Sequence, residues 1–255
     1  MRRAMEAIAE LELEPEEAVL WPLGQAGYVA RAGEVTLAID PYLTDSVGRA
    51  SRELTRRVPA PMEPEELKVD IFVVTHDHLD HLDPETIGRY RHRETTTFVG
   101  PRFAARKLAA LGVPEASVVK VDVGETVEVK GVMLTGVFAL PTDPGVLDTA
   151  GYLVRFANGR SFYHASDTSF CDLLLKAAPR AEVLLVPING KWGNLGVEEA
   201  VALTGAVRPR FVSPNHWDLM EMNSGDPEAF RERCGAEHPG VQCVVLETMK
   251  PFGWR

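Results

Sequence analysis

The chain has 255 residues, 45% of them hydrophobic and 25% charged, with 27 Lys and Arg against 37 Asp and Glu. At roughly 150 residues per domain this length allows one or two domains, and it buries enough apolar surface to fold without disulfide staples. A formal charge of −10 argues against a nucleic-acid backbone or an anionic membrane as the main partner, yet leaves a small anionic substrate open.

Cys171, Cys234 and Cys243 are odd in number and lack metal-type spacing, so a reducing cytoplasm is the expected compartment. The longest apolar stretches, such as 183–188, fall far short of the roughly 20 residues a bilayer span needs. The N-terminus runs from Arg2 and Arg3 into Glu6, Glu10, Glu12, Glu14, Glu16 and Glu17, with no apolar signal-peptide core. Residues 1–17 read as an acidic extension that packs on its own domain or on a neighbouring subunit of a homo-oligomer.

In chain order, Ala4, Ile8 and Leu11 suggest a short helix over 4–12. β-Branched runs at 18–23, 28–31, 35–39 and 71–75, parted by Gly-rich turns, predict strands of one sheet. The Arg-, Pro- and Glu-rich stretch 44–68 reads as a long loop with one short helix. Asp83-Pro84-Glu85 has the order of a helix start, with a cap, a first-turn proline and a dipole-matched acid. A second helix is expected over 102–111, ending at Gly112. The other half follows the same pattern, with strands expected at 117–121, 126–129, 132–138, 152–156 and 161–165. Further strands at 183–187, 210–214 and 241–247 then alternate with helices at 171–178, 197–206 and 226–235. Two such halves suggest facing sheets with helices outside.

Three of the seven histidines fall within Thr75-His76-Asp77-His78-Leu79-Asp80-His81, between a predicted strand and a capped helix. Alternate residues of an extended chain point the same way, so His76 and His78 converge, and the curl toward the helix brings Asp80 and His81 alongside. Four nitrogen and oxygen donors at a sheet mouth are what a divalent metal site requires.

His76-x-His78-x-Asp80-His81 resembles the metal motif of the metallo-β-lactamase superfamily of hydrolases. Trp21-Pro22-Leu23-Gly24-Gln25-Ala26-Gly27 resembles its opening hairpin, and Ile39-Asp40-Pro41 its first motif. Ala165-Ser166-Asp167-Thr168 resembles the segment with the bridging Asp, and Pro214-Asn215-His216-Trp217-Asp218 the one with the last His ligand. Within the superfamily the likeness is greatest to the bacterial L-ascorbate-6-phosphate lactonase group. It runs through Leu23-Gly24, Thr75 to His78, Tyr163 to Asp167, His216-x-Asp218 and Asp226-Pro227.

The resemblance implies an α/β fold, a four-layer αβ/βα sandwich of two facing mixed β-sheets with outer helices, in one domain over 1–255. It implies a metal set of His76, His78, Asp80, His81, Asp167 and His216. Many members carry a further His before the bridging Asp, but none occurs between His92 and His164 here. One ion is therefore expected rather than two. The larger carboxylate share favours Mn²⁺, with Zn²⁺ as the alternative. Asp80 and His216 are the expected catalytic residues, Asp80 as general base where it does not ligate. Asp40 and Asp77 are expected to orient the imidazoles or simply to cap turns, and His164 to pack beside the site.

The implied reaction is opening of a phosphorylated sugar-acid lactone by metal-activated water. Arg57 is the first candidate for the phosphate; Lys191, with Asn194 in the Gly-rich segment 189–194, is the second. A metal-dependent phosphodiesterase acting on a small phosphodiester is the alternative, and a non-catalytic relative of the fold comes last.

Overall fold

Fourteen short strands pair into two seven-stranded sheets in the computed structural model, which describes residues 4–146 and 148–255. Residues 1–3, with the Arg2 and Arg3 of the acidic extension, lie outside the described residues. The first sheet holds β1 (Ala18–Gly24), β2 (Gly27–Ala32), β3 (Val35–Ile39), β4 (Ile71–Val73), β5 (Thr97–Gly100) and β6 (Val118–Lys120), with β14 (Phe252–Trp254) at its edge in the order β14-β1-β2-β3-β4-β5-β6. The second is ordered β13-β12-β11-β10-β9-β8-β7, from β7 (Thr126–Val129), β8 (Val132–Phe138), β9 (Ala150–Arg155), β10 (Ser161–His164), β11 (Val183–Pro187), β12 (Phe211–Asn215) and β13 (Gln242–Cys243).

Each sheet is antiparallel in one half and parallel in the other. The central parallel strands β4, β11 and β12 are buried on both faces, which is why β11 reads as the unbroken run Val183-Leu184-Leu185-Val186-Pro187. Leu20, Ala30, Leu37, Ile71 and Val99 of the first sheet meet Leu134, Val154, Phe162 and Leu185 of the second in one dry core.

Helices cover the outer faces. Ile8 of α1 (Ala4–Glu10), Ile87 of α3 (Pro84–Arg89), and Ala104 and Leu108 of α4 (Arg102–Ala110) pack on the first sheet. Leu174 of α5 (Asp172–Ala177), Val201 and Leu203 of α6 (Val197–Val207), and Phe230 of α7 (Pro227–Glu237) pack on the second. This is the αβ/βα sandwich expected from the sequence. The acidic segment is pinned to its own chain: Arg31 Nη1 donates to the carbonyls of Ile8, Ala9 and Leu11 at 2.7, 2.9 and 3.0 Å.

Three local expectations change. The 44–68 loop carries α2 (Ser46–Ala50) and then a 3₁₀ turn over Arg52–Leu54, two short helical pieces rather than one. The strand expected over 241–247 is paired only at Gln242 and Cys243. The edge strand β14 carries no sequence signal, being three residues after a proline, yet it pairs with Ala18, Val19 and Leu20. No helix among the described residues is long and apolar enough to cross a membrane.

Register places the site. Ile39 pairs with Val73 in the first sheet, and His164 with Leu185 and Pro187 with Asn215 in the second. The residues just beyond those pairs therefore leave the parallel strands side by side, at the same rim where ligands meet open α/β sheets.

Candidate metal centre

The segment from His76 to His81 leaves β4 and turns toward α3, with the amides of His81 and Leu82 both donating to the His78 carbonyl at 3.1 and 2.8 Å. Asp83 caps α3 by accepting from Glu85 N, and its other oxygen accepts from Thr44 and Thr86. Across the rim, β10 delivers Asp167 and β12 delivers His216. Two groups result: His76, His78 and Asp167, and Asp80, His81 and His216, each with donor atoms within 4.8 Å of one another.

Asp167 links the groups. Its Oδ1 lies 3.4 Å from His81 Nε2 and 3.3 Å from His216 Nε2, while Asp80 Oδ2 lies 3.3 Å from His216 Nε2. In the first group His76 Nε2 is 2.9 Å from His78 Nδ1.

Hydrogen bonds behind the imidazoles set their tautomers. His81 Nδ1 donates to Asp40 Oδ2 at 2.7 Å, which leaves Nε2 as a lone pair facing the site. Thr75 Oγ1 donates to the same carboxylate at 2.6 Å and so accepts from His76 Nδ1 at 3.0 Å, freeing His76 Nε2 likewise. Asp40 Oδ1 takes Thr75 N at 2.8 Å, so one buried carboxylate fixes a strand end and two rings. Gly27 is required beside it, since a Cβ there would lie 2.9 Å from the Asp40 carbonyl.

Backbone strain collects at the same rim. Gln25, Asp40, Ser166 and His216, none of them glycine, have φ of 57°, 45°, 64° and 57°. Such left-handed residues cost on the order of 1 kcal/mol each and persist where the surroundings over-determine them.

His81 Nε2 and Asp167 Oδ1 are buried without hydrogen-bond partners, which is the condition of ligand atoms and not of ordinary core groups. A donor set of imidazoles and carboxylates with preset tautomers fits a divalent cation. The protonation pattern agrees. Burial opposes charge on His81, but Asp167, Asp80 and Asp40 outweigh it and hold that imidazole well above its ordinary value. Asp167 and Asp80 also raise His216 against its burial, and the imidazoles hold both carboxylates low. His76 goes the other way, lowered by burial and by the neighbouring His81.

A proton therefore takes the ion's place when no metal is bound, and metal uptake must expel it. Titrating Mn²⁺ into metal-free protein at pH 7 should release roughly one to two protons. The release should shrink as pH rises through the raised His81 and His216 values. Calorimetry in buffers of different ionisation enthalpy reads this directly, and a buffer-independent heat would contradict it.

Comparison with known proteins bears on the same residues. Residues 36–217 match the Beta-lactamase superfamily domain, a span that contains every member of both groups. Over 246 residues the chain is 32% identical to a UPF0173 metal-dependent hydrolase of Methanosarcina barkeri, covering 91% of this chain and 95% of that protein. The chain belongs to the UPF0173 metal-dependent hydrolase family. A second member, from Methanosarcina mazei, is 31% identical over 231 residues, covering 86% of this chain and 91% of its own. Among solved structures, Igni18, a metallo hydrolase from Ignicoccus hospitalis, superposes with a TM-score of 0.75 at 22% identity over 94% of this chain and 99% of its own, a likeness of fold.

The structure of this metal-dependent hydrolase sorts the remaining expected residues. Asp77 does not reach the imidazoles. It lies in the bend between His76 and His78, and its carboxylate is 3.6 Å from Lys107 Nζ of α4. His164 has both nitrogens engaged, Nε2 donating to the Ala26 carbonyl at 2.8 Å and Nδ1 accepting from Ser166 N at 3.1 Å, so it packs beside the site. Arg57 lines a neighbouring cavity with Arg49, Arg56 and Arg89 and reaches back to the Met220 carbonyl at 3.4 Å. Arg57 thus lines that neighbouring cavity rather than the cleft over the two groups, although Val47 and Leu54 of the same loop do line the cleft. Asn194 also stands back. Its Oδ1 accepts from Thr168 N and Leu195 N and thereby braces the turn after Asp167. Lys191 does line the cavity over the two groups, with its Nζ donating to the Met222 carbonyl at 2.9 Å.

Gln25, Asn189 and Asn223 are functional-site residues that sequence reasoning missed. Gln25 Nε2 donates to Asp80 Oδ2 at 2.8 Å and touches the His216 ring, while its Oε1 is buried without a partner. The one advance signal was its place in the Gly24 to Gly27 hairpin turn.

Proposed function

We propose that this metal-dependent hydrolase opens lactones or related esters bearing an apolar substituent. The observation that carries the reading is the cavity of about 440 Å³ above the two groups. His78, Asp80, Asp167 and His216 form its floor, and Val47, Leu54, Pro144, Trp192 and Met220 form an apolar wall. Trp192 is 58% exposed there, a large aromatic face left open at the mouth. Lys191 is the one Lys or Arg among the described lining residues, and its ammonium is already engaged. Apart from the ion, a phosphate would find a single Lys or Arg side chain against three carboxylates, Asp80, Asp143 and Asp167. A neutral ring with an apolar arm suits that lining better.

His76, His78 and Asp167 would hold the ion together with the imidazoles of His81 and His216, with Asp80 beside it. A divalent cation supplies Lewis-acid polarisation of the carbonyl and brings the pKa of water down to about 7 in favourable zinc sites. Asp80, kept ionised and oriented by Gln25, accepts the proton of the attacking water. His216 Nε2, 3.3 Å from Asp167 Oδ1, would face the ion beside that carboxylate. The reading takes one ion, Mn²⁺ ahead of Zn²⁺. Asp143, an exposed carboxylate, lies 3.7 Å from His78 Nε2 and adds to the oxygen share beside the site.

A substrate panel tests this. Alkyl-substituted γ- and δ-lactones should be hydrolysed with a higher kcat/KM than a phosphorylated sugar lactone or bis-p-nitrophenyl phosphate. Trp192→Ala should raise KM for the alkyl lactones by about 10-fold with kcat little changed, as loss of uniform binding does. Preference for the phosphorylated lactone would restore an anionic substrate, and preference for the diester would make this a phosphodiesterase.

A further inference from the structure

Behind His216, on the side away from the carboxylates, two asparagines form a chain that the metal groups do not include. Asn189 follows β11 and Asn223 lies in the loop after β12; both line the cavity, and each is only 6% exposed. Gly225 makes the juxtaposition, because a Cβ there would lie 2.6 Å from the Ile188 carbonyl, so the loop closes directly on the residue before Asn189.

Heavy-atom positions allow two orientations of the amides. In one, Asn189 Nδ2 donates to Asn223 Oδ1 at 2.6 Å, Asn223 Nδ2 faces His216 Nδ1 at 3.4 Å, and Asn189 Oδ1 is buried with no partner. That arrangement needs a lone pair on His216 Nδ1 and hence a proton on Nε2, the nitrogen 3.3 Å from both Asp80 and Asp167. An imidazole protonated at Nε2 cannot give that nitrogen to a metal. With both amides turned, His216 Nδ1 donates to Asn223 Oδ1, and Asn223 Nδ2 donates to the otherwise orphaned Asn189 Oδ1. Asn189 Nδ2 then takes the buried position that Oδ1 held, so what favours this orientation is the free Nε2 it leaves on His216.

We propose that Asn223 and Asn189 are positioning residues for His216, an amide relay that holds its Nδ1 proton and so keeps Nε2 available as a metal ligand. The relay rests on the metal-centre reading and adds to it a direction: Asn223 must accept from His216, not donate to it. Asp40 does the same for His81 and Thr75 Oγ1 for His76, so each of these three imidazoles is steered from behind by a side-chain oxygen.

The test is Zn²⁺ affinity in the full chain, measured by competition with a chromophoric chelator. Asn223→Leu should weaken binding 10- to 100-fold, as loss of such an orienting partner does. Asn223→Asp, which can only accept, should stay within about threefold of wild type. Nitrogen-15 spectra of the Zn²⁺-loaded wild type should show His216 protonated at Nδ1. Wild-type affinity in Asn223→Leu overturns the relay, as does equal weakening in Asn223→Asp. Should Asn223→Leu not fold, an Nε2-protonated His216 in the loaded wild type overturns it instead. Wild-type protein that takes up no Zn²⁺ overturns the metal centre and the relay together, a result distinct from the others.

Discussion

Replacing His78 by alanine is expected to reduce turnover to background, a loss on the order of 10³-fold or more, while the protein stays folded. His78 supplies one of the three donors of the first group, and the remaining pair, His76 and Asp167, cannot hold a divalent ion tightly. The same side chain does little for stability. It is 29% exposed, and its ring packs edge-on against His76 rather than into the core. Unfolding free energy should change by less than about 1 kcal/mol, as for surface positions. Thermal melts of metal-free wild type and variant check stability, and kcat/KM on the best lactone checks function. Activity within a few-fold of wild type would place the chemistry elsewhere.

Asp40→Ala should do the opposite, striking stability and site together. The carboxylate is fully buried and accepts from Thr75 N, Thr75 Oγ1 and His81 Nδ1. Removing it leaves those donors in the dry rim between β3 and β4, at a cost of about 3 kcal/mol. It also frees His81 to take the wrong tautomer, so metal affinity should fall 10- to 100-fold. Asp40→Asn keeps the shape but must turn one N–H₂ toward a donor, and should lie between the two. Denaturant titration and metal competition read the two effects separately. A variant that lost metal affinity with unchanged stability would contradict the structural half of the argument.

These residues also show how far the sequence could be read. His76 to His81 were legible because they are consecutive, and period-two alternation alone places His76 and His78 together. The Asp83 cap was legible for the same reason, since its partners lie within the next three residues. Asp40 was visible as a lone acid after a strand, but its bond to His81 spans 41 residues and needed the β3–β4 register to appear. Asn189 opens the Gly-rich segment 189–194, but its meeting with Asn223 spans 34 residues through a loop closure that no local pattern marks. Gln25 looked like turn filler because its function comes from a left-handed backbone that aims the side chain back across the rim. Charge and loop position mark Arg57 as a phosphate contact, and the path of the 44–68 loop, which no local pattern reports, carries it into the next cavity. Periodicity reports faces and caps; it does not report which loops close on one another.

The apolar cavity wall follows the same division. Val47 and Leu54 come from the loop between β3 and β4, Trp192 from the turn before α6, and Met220 from the loop after β12. The two sheets supply the metal donors at their common rim, and four separate loops, the fourth carrying Pro144 between β8 and β9, supply the surface a substrate meets.

One crystallographic measurement tests the central claim most directly. Crystals grown with Mn²⁺, with data collected on both sides of the manganese absorption edge, should show an anomalous peak within about 2.5 Å of donor atoms from the His76, His78 and Asp167 group or the Asp80, His81 and His216 group. The peak should vanish in His78→Ala if the ion sits in the first. No peak between β4, β10 and β12, or one only at the outer surface, would contradict the assignment of this rim as the metal centre.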